Sequence, residues 1–300
     1  LSAGAAITTG SRNIAIGGVA LDNVDTENDN LAIGYAALGG AIDGGEYNVA
    51  IGNYTLDALT TGDRNIALGH TAMSGITTGA YNIAIGYAAG YNLEGAAHSN
   101  VLIGKNAGHV MTTGVSTIAI GIDALAALTS GAYNIAIGYE AAKALTTSAN
   151  NVAIGYQALK SATTNTEFNV AIGSFALDSI TAGQTVTGNT AVGYNSLTDL
   201  TTADENVCIG SNTGANITDG GFNTFLGTTA GNVTTSVTES VLIGVNAGAN
   251  GDITNDAIGS VGIGSQALLS LTSGQGNVAI GYQALDAEDD GDFNTAVGHQ

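Results

Sequence analysis

A short motif, Asn-[Ile/Val]-Ala-Ile-Gly, recurs along the chain from one end to the other. Its glycine, called the motif glycine below, occurs 17 times, at Gly17, Gly34, Gly52, Gly69, Gly86, Gly104, Gly121, Gly138, Gly155, Gly173, Gly193, Gly210, Gly227, Gly244, Gly264, Gly281 and Gly298. Eleven of the 16 steps between these glycines are 17 residues long, three are 18 and two are 20. Such regularity predicts a stack of similar units and leaves no room for a second domain.

The residues before each motif glycine alternate in character. The residue immediately before it is Ile, Leu or Val in all 17 copies, and the residue three before it is Ile, Val or Leu in 14. The residue between these two is usually Ala, and Asn stands four before the glycine in 14 copies. This period of two, with β-branched residues on one face, predicts a β-strand.

A helical repeat does not fit this pattern. One copy is too short for two packed helices with their turns, and its glycine and β-branched residues oppose helix formation. We therefore predict that each copy forms one coil of a parallel β-solenoid, with two short strands and two turns. The expected fold is all-β, with 17 coils of about 17 residues in a single continuous domain over residues 1–300. Stacking supplies the burial that an isolated coil lacks.

The alternation also predicts an inside and an outside for the strand. We expect the aliphatic residue before the motif glycine to form an inner core, with Ile16, Ile33, Ile51, Ile85, Ile137 and Ile280 among its members. The intervening small residues should then face outward in one column, which includes Ala15, Ala32, Ala50, Ala67, Ala84 and Ala136. A solvated face would carry polar residues, so this apolar column indicates an interface with another copy of the chain. The alternative is that Ala merely fills a narrow coil.

The asparagine four residues before the motif glycine has two explanations. The column includes Asn13, Asn30, Asn48, Asn65, Asn82, Asn134 and Asn151. Stacked amides could hydrogen-bond from coil to coil as a ladder. Alternatively, Asn tolerates the turn that precedes the strand. The sequence does not decide between these two roles.

Composition and charge exclude several classes of protein. The chain has 45 Gly, no Pro and 44% hydrophobic residues, which argues against collagen and against disorder. The 5 basic and 25 acidic residues give a net charge of −20, so neither nucleic acid nor an anionic membrane surface is an expected partner. The chain has no run of 18 apolar residues, and no membrane insertion is expected.

Two further features concern single positions. Cys208 is the one cysteine, which makes an intrachain disulfide impossible. It stands two residues before Gly210, where most copies carry Ala, and we predict that it is buried and slow to react with thiol reagents. The chain starts at Leu1 without an initiator Met or a signal peptide, so we expect it to be a piece of a longer protein.

No group of residues has the spacing of a catalytic site. The histidines His70, His98, His109 and His299 do not converge with a nucleophile, and no Gly-Lys-Ser/Thr loop could hold a phosphate. We therefore expect neither an enzyme nor a cofactor.

The acidic turns contain the best candidates for a calcium site. Asp22 and Asp25 lie in one such turn, and Asp289 and Asp292 lie in another. Carboxylate oxygens suit Ca²⁺, but neither turn matches an EF-hand. A solvated turn is the favoured interpretation, and no bound metal is expected.

Aromatic residues fall in two columns. One follows the motif glycine directly: Tyr35, Tyr87, Tyr139, Tyr156, Tyr194 and Tyr282. The other lies five residues before it: Tyr47, Tyr81, Tyr133, Phe168, Phe222 and Phe293. A sugar-binding ladder could look like this, but packing between coils is the favoured role.

The motif resembles the repeats of two families of attachment proteins. Residues 82–87 and 151–156 resemble the head repeats of trimeric autotransporter adhesins. Residues 189–194, Asn-Thr-Ala-Val-Gly-Tyr, are similar to repeats of phage tail fibres that end in an intramolecular chaperone domain. The resemblance covers the whole chain and implies a left-handed parallel β-roll, three chains side by side and a role in attachment. The period of the present repeat is longer than that of the adhesin heads.

The sequence thus predicts a structural segment of an extracellular fibre or adhesin, at a cell surface or on a virion. Its expected partners are copies of itself, with a trimer favoured, and a host or cell-surface receptor. A self-assembling extracellular filament of stacked solenoids is the first alternative. An ice-binding solenoid is the second, because Thr-Thr pairs such as Thr60-Thr61 recur at one turn, although they degrade to Thr129-Ser130.

Overall fold

A computed structural model of the chain describes residues 2–95, 97–181, 183–251, 253–254 and 257–300. The chain divides into two compact units, residues 1–149 and residues 150–300. Both have the same architecture, and the described residues contain no α-helix.

Short strands recur once per motif in both units. The first unit contains β1 (Ile14–Ile16), β2 (Leu31–Ile33), β3 (Val49–Ile51), β4 (Ile66–Leu68), β5 (Ile83–Ile85), β6 (Val101–Ile103), β7 (Ile118–Ile120) and β8 (Ile135–Ile137). The second contains β9 (Val152–Ile154), β10 (Thr166–Glu167), β11 (Val170–Ile172), β12 (Val186–Thr187), β13 (Thr190–Val192), β14 (Val207–Ile209), β15 (Thr224–Leu226), β16 (Val241–Ile243), β17 (Val261–Ile263), β18 (Val278–Ile280) and β19 (Thr295–Val297). All but β10 and β12 are the three residues that precede a motif glycine.

The motif strands pair in parallel, each with the equivalent strand of the next coil. In the first unit the order runs from β1 to β8 without interruption. In the second it runs from β9 through β11 and β13 to β19. Equivalent residues lie opposite one another, as Ala119 does with Ala136. The predicted all-β parallel solenoid with a repeat of about 17 residues is therefore confirmed.

The prediction of two strands per coil is wrong for most coils. Among the described residues, a second strand forms only where β10 pairs with β12. Elsewhere the rest of the coil is a series of bends, because the residues two and four after the motif glycine have positive φ. Asp123 (56°) and Leu125 (50°) are examples. These left-handed residues turn the backbone too sharply for a strand. Hydrogen bonds still join the coils, as from the Thr60 N–H to the Thr77 carbonyl at 2.8 Å.

The motif glycine is required by both its backbone angle and its surroundings. Gly121 has φ of 139°, which side-chain-bearing residues rarely adopt. A Cβ atom on Gly121 would lie 2.2 Å from the carbonyl oxygen of Gly138 in the next coil. Close backbone stacking therefore explains why glycine occupies this position in every copy.

The two faces of the strand are the reverse of those predicted. The expected interface residues lie inside the chain: Ala32, Ala50, Ala67, Ala84 and Ala136 are fully buried, and Ala15, in β1, is half-buried. The expected core residues lie outside: Ile16, Ile85 and Ile280 are 57%, 37% and 38% exposed, and Ile33, Ile51 and Ile137 are half-buried. The assignment of an Ala interface and an Ile core was wrong.

The width of the coil explains the reversal. The interior around Gly121 is filled by Ala119 from the strand and by Ala124, Leu125 and Leu128 from the following turns, all fully buried. The leucines of the turns take up the space, so that only a small side chain fits on the inward side of the strand. The larger aliphatic residues are left on the outer side.

Exceptions at the inward position confirm that volume is limiting. Leu102, Cys208, Phe225 and Leu242 replace Ala, and each is followed six residues later by a glycine: Gly108, Gly214, Gly231 and Gly248. A Cβ on Gly231 would lie 2.3 Å from Cε2 of Phe225. Conversely, Gly262 stands at the inward position where Leu268 fills the turn. In these coils a large side chain at one position is thus matched by a small one at the other, as close packing requires.

Candidate association surface

The outward side of the strands is an extended apolar surface. Four residues of each coil form this surface: those that stand five, three and one residues before the motif glycine, and the one directly after it. We call this surface the outer strand face. Its aliphatic members include Ile209 (38% exposed), Leu226 (43%) and Ile263 (36%). These residues belong to strands that stack in register, so their side chains form continuous columns along each unit.

Aromatic residues form both borders of the outer strand face. The six that follow the motif glycine and the six that lie five residues before it are between 42 and 72% exposed. Rings of neighbouring coils contact one another along the first border. Tyr35 and Tyr54 meet edge to face with ring centroids 5.4 Å apart, while His70 and Tyr87 stack at 5.6 Å. These contacts bear out the interpretation of this column as packing between coils.

Two members of this aromatic border were missed in the sequence. Tyr54 and Phe175 stand two residues after the motif glycine, where the residue one after it is Asn53 or Ser174. Phe175 nevertheless contacts Tyr156 and Tyr194, at 5.2 and 6.1 Å between ring centroids. Both coils lack the usual tyrosine directly after the motif glycine and carry an aromatic residue one position later. This displacement is the sequence signal that could have identified the two border residues.

Charge is almost absent from the outer strand face. None of the 25 acidic residues stands between four before and one after a motif glycine, and Lys105 is the one charged residue in those positions. Five residues before the glycine the charged residues are Arg12, Asp29, Arg64, Glu205 and Glu239. Most of the net charge of −20 is therefore carried by the turns outside this face.

The predicted calcium ligands have other partners. Asp25 accepts a hydrogen bond from the Thr8 hydroxyl, and Asp289 accepts one from the Thr272 hydroxyl at 2.6 Å. Asp292 accepts one from the backbone N–H of Gln275 at 2.9 Å. In the described part of the chain, Asp22 and these residues do not join any group of three acidic, His or Cys side chains that could hold a metal ion. These bonded carboxylates instead tie each turn to the preceding coil.

The asparagine column forms a hydrogen-bonded ladder, which is one of the two roles that the sequence left open for it. The Oδ1 atom of Asn48 accepts bonds from the backbone N–H (3.0 Å) and the side-chain amide (3.2 Å) of Asn65. The Asn65 amide also donates to the carbonyl of Gly79 at 2.8 Å. A bond from a backbone N–H to an Oδ1 atom likewise joins Asn30 to Asn13, Asn48 to Asn30 and Asn82 to Asn65. Asn134 and Asn151 donate to the carbonyls of Ser148 and Thr166. These buried amides thus satisfy the backbone at the start of each strand.

The Thr-Thr turns also carry bonds between coils. The first hydroxyl of the pair donates to a carbonyl of the next coil, as from Thr60 to Thr77 (2.9 Å) and from Thr112 to Thr129 (3.1 Å). Because these hydroxyls are engaged within the chain, the turn offers a single exposed hydroxyl column, with Thr61 and Thr113 among its members. A regular two-column array is not formed by this turn.

Cys208 is fully buried, as predicted, but it lies on the inward side of β14 and not on the outward side that was predicted for the small residues of the strand. Burial raises the pKa of its thiol, which disfavours the reactive thiolate. Its slow reaction with thiol reagents remains a prediction.

The histidines do not come together. His70 stacks on Tyr87, His109 stacks on Tyr91, and His299 packs on Tyr282. The Nδ1 atom of His98 accepts a hydrogen bond from the backbone N–H of Ala80 at 3.2 Å.

A cleft of about 240 Å³ lies against the last coils. Its lining contains Asp286 and His299 but no Ser, Cys or Lys that could serve as a nucleophile beside them. The remainder is Gln283, Ala284, Leu285, Ala296, Val297, Gly298 and Gln300.

Comparison with known proteins gives no family assignment, since no protein-family model and no curated protein matches the chain. Within the residues that the structure describes, no helix has the length and apolar character needed to span a bilayer.

Proposed function

We propose that this chain is a structural segment of an extracellular fibre or adhesin, in which copies of the chain pack side by side through the outer strand face. The observation that carries the proposal is the uncharged aliphatic surface along the strands of a chain whose net charge is −20. Large apolar surfaces on soluble proteins mark sites of association. The resemblance of the repeat to those of adhesin heads and phage tail fibres supports the same role.

The size of the outer strand face suits a stable interface. In the first unit it spans eight strands. At about 4.8 Å per strand and about 20 Å across the seven residues between its borders, it covers roughly 760 Å². A standard protein interface buries about 800 Å² per partner. One unit therefore offers enough surface for specific association.

The dimensions also suit three copies. Three flat faces about 20 Å wide close a triangular prism whose walls lie about 6 Å from the axis, close to half the separation of about 10 Å between packed sheets. Four such faces would place the walls about 10 Å from the axis and leave an open channel. In the trimer, the acidic turns face water, and their mutual repulsion keeps trimers apart.

Light scattering of the purified chain tests this proposal. A side-by-side trimer should have three times the mass of the 29.5 kDa chain. A chain that stays monomeric at concentrations of about 100 μM, well above the dissociation constants of stable complexes, would remove the proposed function.

The alternatives predict different results. A filament of stacked solenoids should yield particles of increasing length rather than a fixed mass. An ice-binding solenoid should lower the freezing point without raising the melting point, but the hydroxyls engaged between coils disfavour it. A receptor on a host or cell surface remains an expected partner of the assembled fibre.

A further inference from the structure

Three consecutive coils carry interacting side chains on both borders of the outer strand face. On one border the Arg64 guanidinium lies between two rings, with its central carbon 5.1 Å from the centroid of Tyr47 and 5.4 Å from that of Tyr81. Its Nη1 donates to the Tyr81 hydroxyl at 3.1 Å. We call Tyr47, Arg64 and Tyr81 the Arg–Tyr ladder.

The opposite border of the same coils carries a second ladder. The ring of His70 lies 5.9 Å from that of Tyr54 and 5.6 Å from that of Tyr87, between ring centroids. We call Tyr54, His70 and Tyr87 the Tyr–His ladder. The two ladders stand at the same height, because Arg64 and His70 flank the same strand, β4.

From this placement we propose that a second copy of the chain docks parallel and in register, with the Arg–Tyr ladder of one copy against the Tyr–His ladder of the next. This inference rests on the proposed function. It adds which two borders meet, that the copies run in the same direction, and that equivalent coils lie at the same height. Copies related by a rotation axis along the stack bring opposite borders together at the same height. Antiparallel copies would bring like borders together, so the Arg–Tyr ladder of one copy would not meet the Tyr–His ladder of the other.

The chemistry of the two ladders is complementary. Nη1 of Arg64 lies 4.0 Å from Oδ2 of Asp63, but within the described residues its Nε and Nη2 have no hydrogen-bond acceptor, and the side chain is 48% exposed. Rings and hydroxyls of a neighbouring Tyr–His ladder supply a cation–π surface and acceptors for these donors. Arginine and tyrosine held rigid by their neighbours are also the residues that most often anchor interfaces.

Arg12 provides a matched control on the same border. Its Nε and Nη2 donate to the two oxygens of Asp29 at 2.5 and 2.7 Å, so its donors are already engaged. The residue on the opposite border of its coil is Gly18, which has no side chain to offer.

A disulfide cross-link tests the direction and the register. In the double variant Arg64→Cys/His70→Cys the two cysteines of one chain lie about 20 Å apart, at about 3.3 Å per residue, too far to pair with each other. Under a mild thiol oxidant, parallel in-register copies should link border to border. The expected product on a denaturing gel is a closed species of three chains. The single variant Arg64→Cys should yield no more than two, and buried Cys208 is expected to stay unreactive.

The outcomes separate this inference from the proposed function. Suppose that light scattering shows the wild-type chain to be an oligomer, but only the displaced pair Arg12→Cys/His70→Cys cross-links, or neither pair does. The proposed junction is then wrong, while the proposed function as a fibre segment stands. A monomeric wild-type chain overturns both. Arg64→Ala should raise the dissociation constant at least tenfold and Arg12→Ala less than twofold, and equal effects would count against the anchor.

Discussion

The carboxylate of Glu27 lies inside a turn and is only 3% exposed. Its Oε1 accepts a bond from the Gly44 N–H at 2.9 Å, and its Oε2 accepts bonds from the N–H groups of Asp25 and Thr26 at 3.0 Å each. Burial opposes ionisation, but these backbone N–H groups outweigh it and hold the pKa of Glu27 below its ordinary value. The ionised carboxylate thus fastens the turn to the next coil.

Glu27→Gln should therefore destabilise the chain at neutral pH, by about 1.5–3 kcal/mol, the range for hydrogen bonds to a charged group. Because the pKa is lowered by folding, this stabilisation is present above the unfolded value of 4.5 and is lost as pH falls through the folded value. Urea unfolding at a series of pH values should show the difference between the variant and the wild type shrinking below about pH 4.5. A difference that does not change with pH would contradict the role of the charge.

Asp57 responds to burial in the opposite direction. Its Oδ1 atom is buried without a hydrogen-bond partner, and burial raises the pKa of the carboxyl. Protonation of Asp57 therefore favours folding. Above the folded pKa the ionised carboxylate destabilises the folded chain, and this destabilisation diminishes as pH falls towards the unfolded value of 3.8.

Asp57→Asn should raise the melting temperature at neutral pH, by on the order of 2 °C, since it removes a charge that is poorly solvated in the folded chain. The gain should disappear in acid, where the wild-type carboxyl is itself neutral. Thermal unfolding at neutral and at acid pH measures both effects. A variant that is less stable than the wild type at neutral pH would show that the charge has a favourable role.

At the scale of the strand and its turns, the sequence period predicted the fold because it repeats in every coil. The same period could not orient the strand. Both faces are apolar, and a rule that places the larger residue inside chooses Ile120 over Ala119. The deciding quantity is the volume already taken by Leu125 and Leu128, which depends on how the turns fold back over the strand. The positive φ of Leu125 that produces this folding leaves no signal in residue type, since glycine is not needed there.

The exchange of volume between Leu102 and Gly108 can be tested by reversing it. Leu102→Ala alone should leave a cavity and cost about 2–5 kcal/mol. Gly108→Leu alone should overpack the coil, at a cost of about 1–3 kcal/mol, because its Cβ would lie 2.9 Å from Cδ2 of Leu102. The double variant recreates the Ala119 and Leu125 pair of the next coil and should recover part of both losses, because Leu102 also packs beside Gly90 of the preceding coil.

A double-mutant cycle in urea measures this recovery as a coupling energy. We expect the coupling to be at least about 2 kcal/mol, since neither single change can relax without the other. Additive losses in the double variant would mean that the coils do not share a conserved interior volume.

For the whole molecule, the adjacent pair Ala136 and Ile137 separates folding from association. Ala136 is fully buried and Ile137 is half-buried on the outer strand face. Ala136→Asp places a carboxylate in the dry interior without a partner, which is among the most costly changes a core can receive. Because coils couple to their neighbours, the damage should open the chain near residue 136 first. A protease that cuts at aliphatic and aromatic residues should cleave there under conditions in which the wild type resists.

Ile137→Asp carries the same charge one residue further along but places it at the surface. The chain should keep its resistance to the protease, while the mass measured by light scattering falls from the oligomer to the 29.5 kDa chain, since an unpaired carboxylate in an apolar interface costs far more than one in water. The two variants therefore control for each other, being matched in charge and position. If Ile137→Asp unfolds the chain while Ala136→Asp only dissociates it, the strand faces the other way, and the outer strand face cannot be where copies of this chain meet.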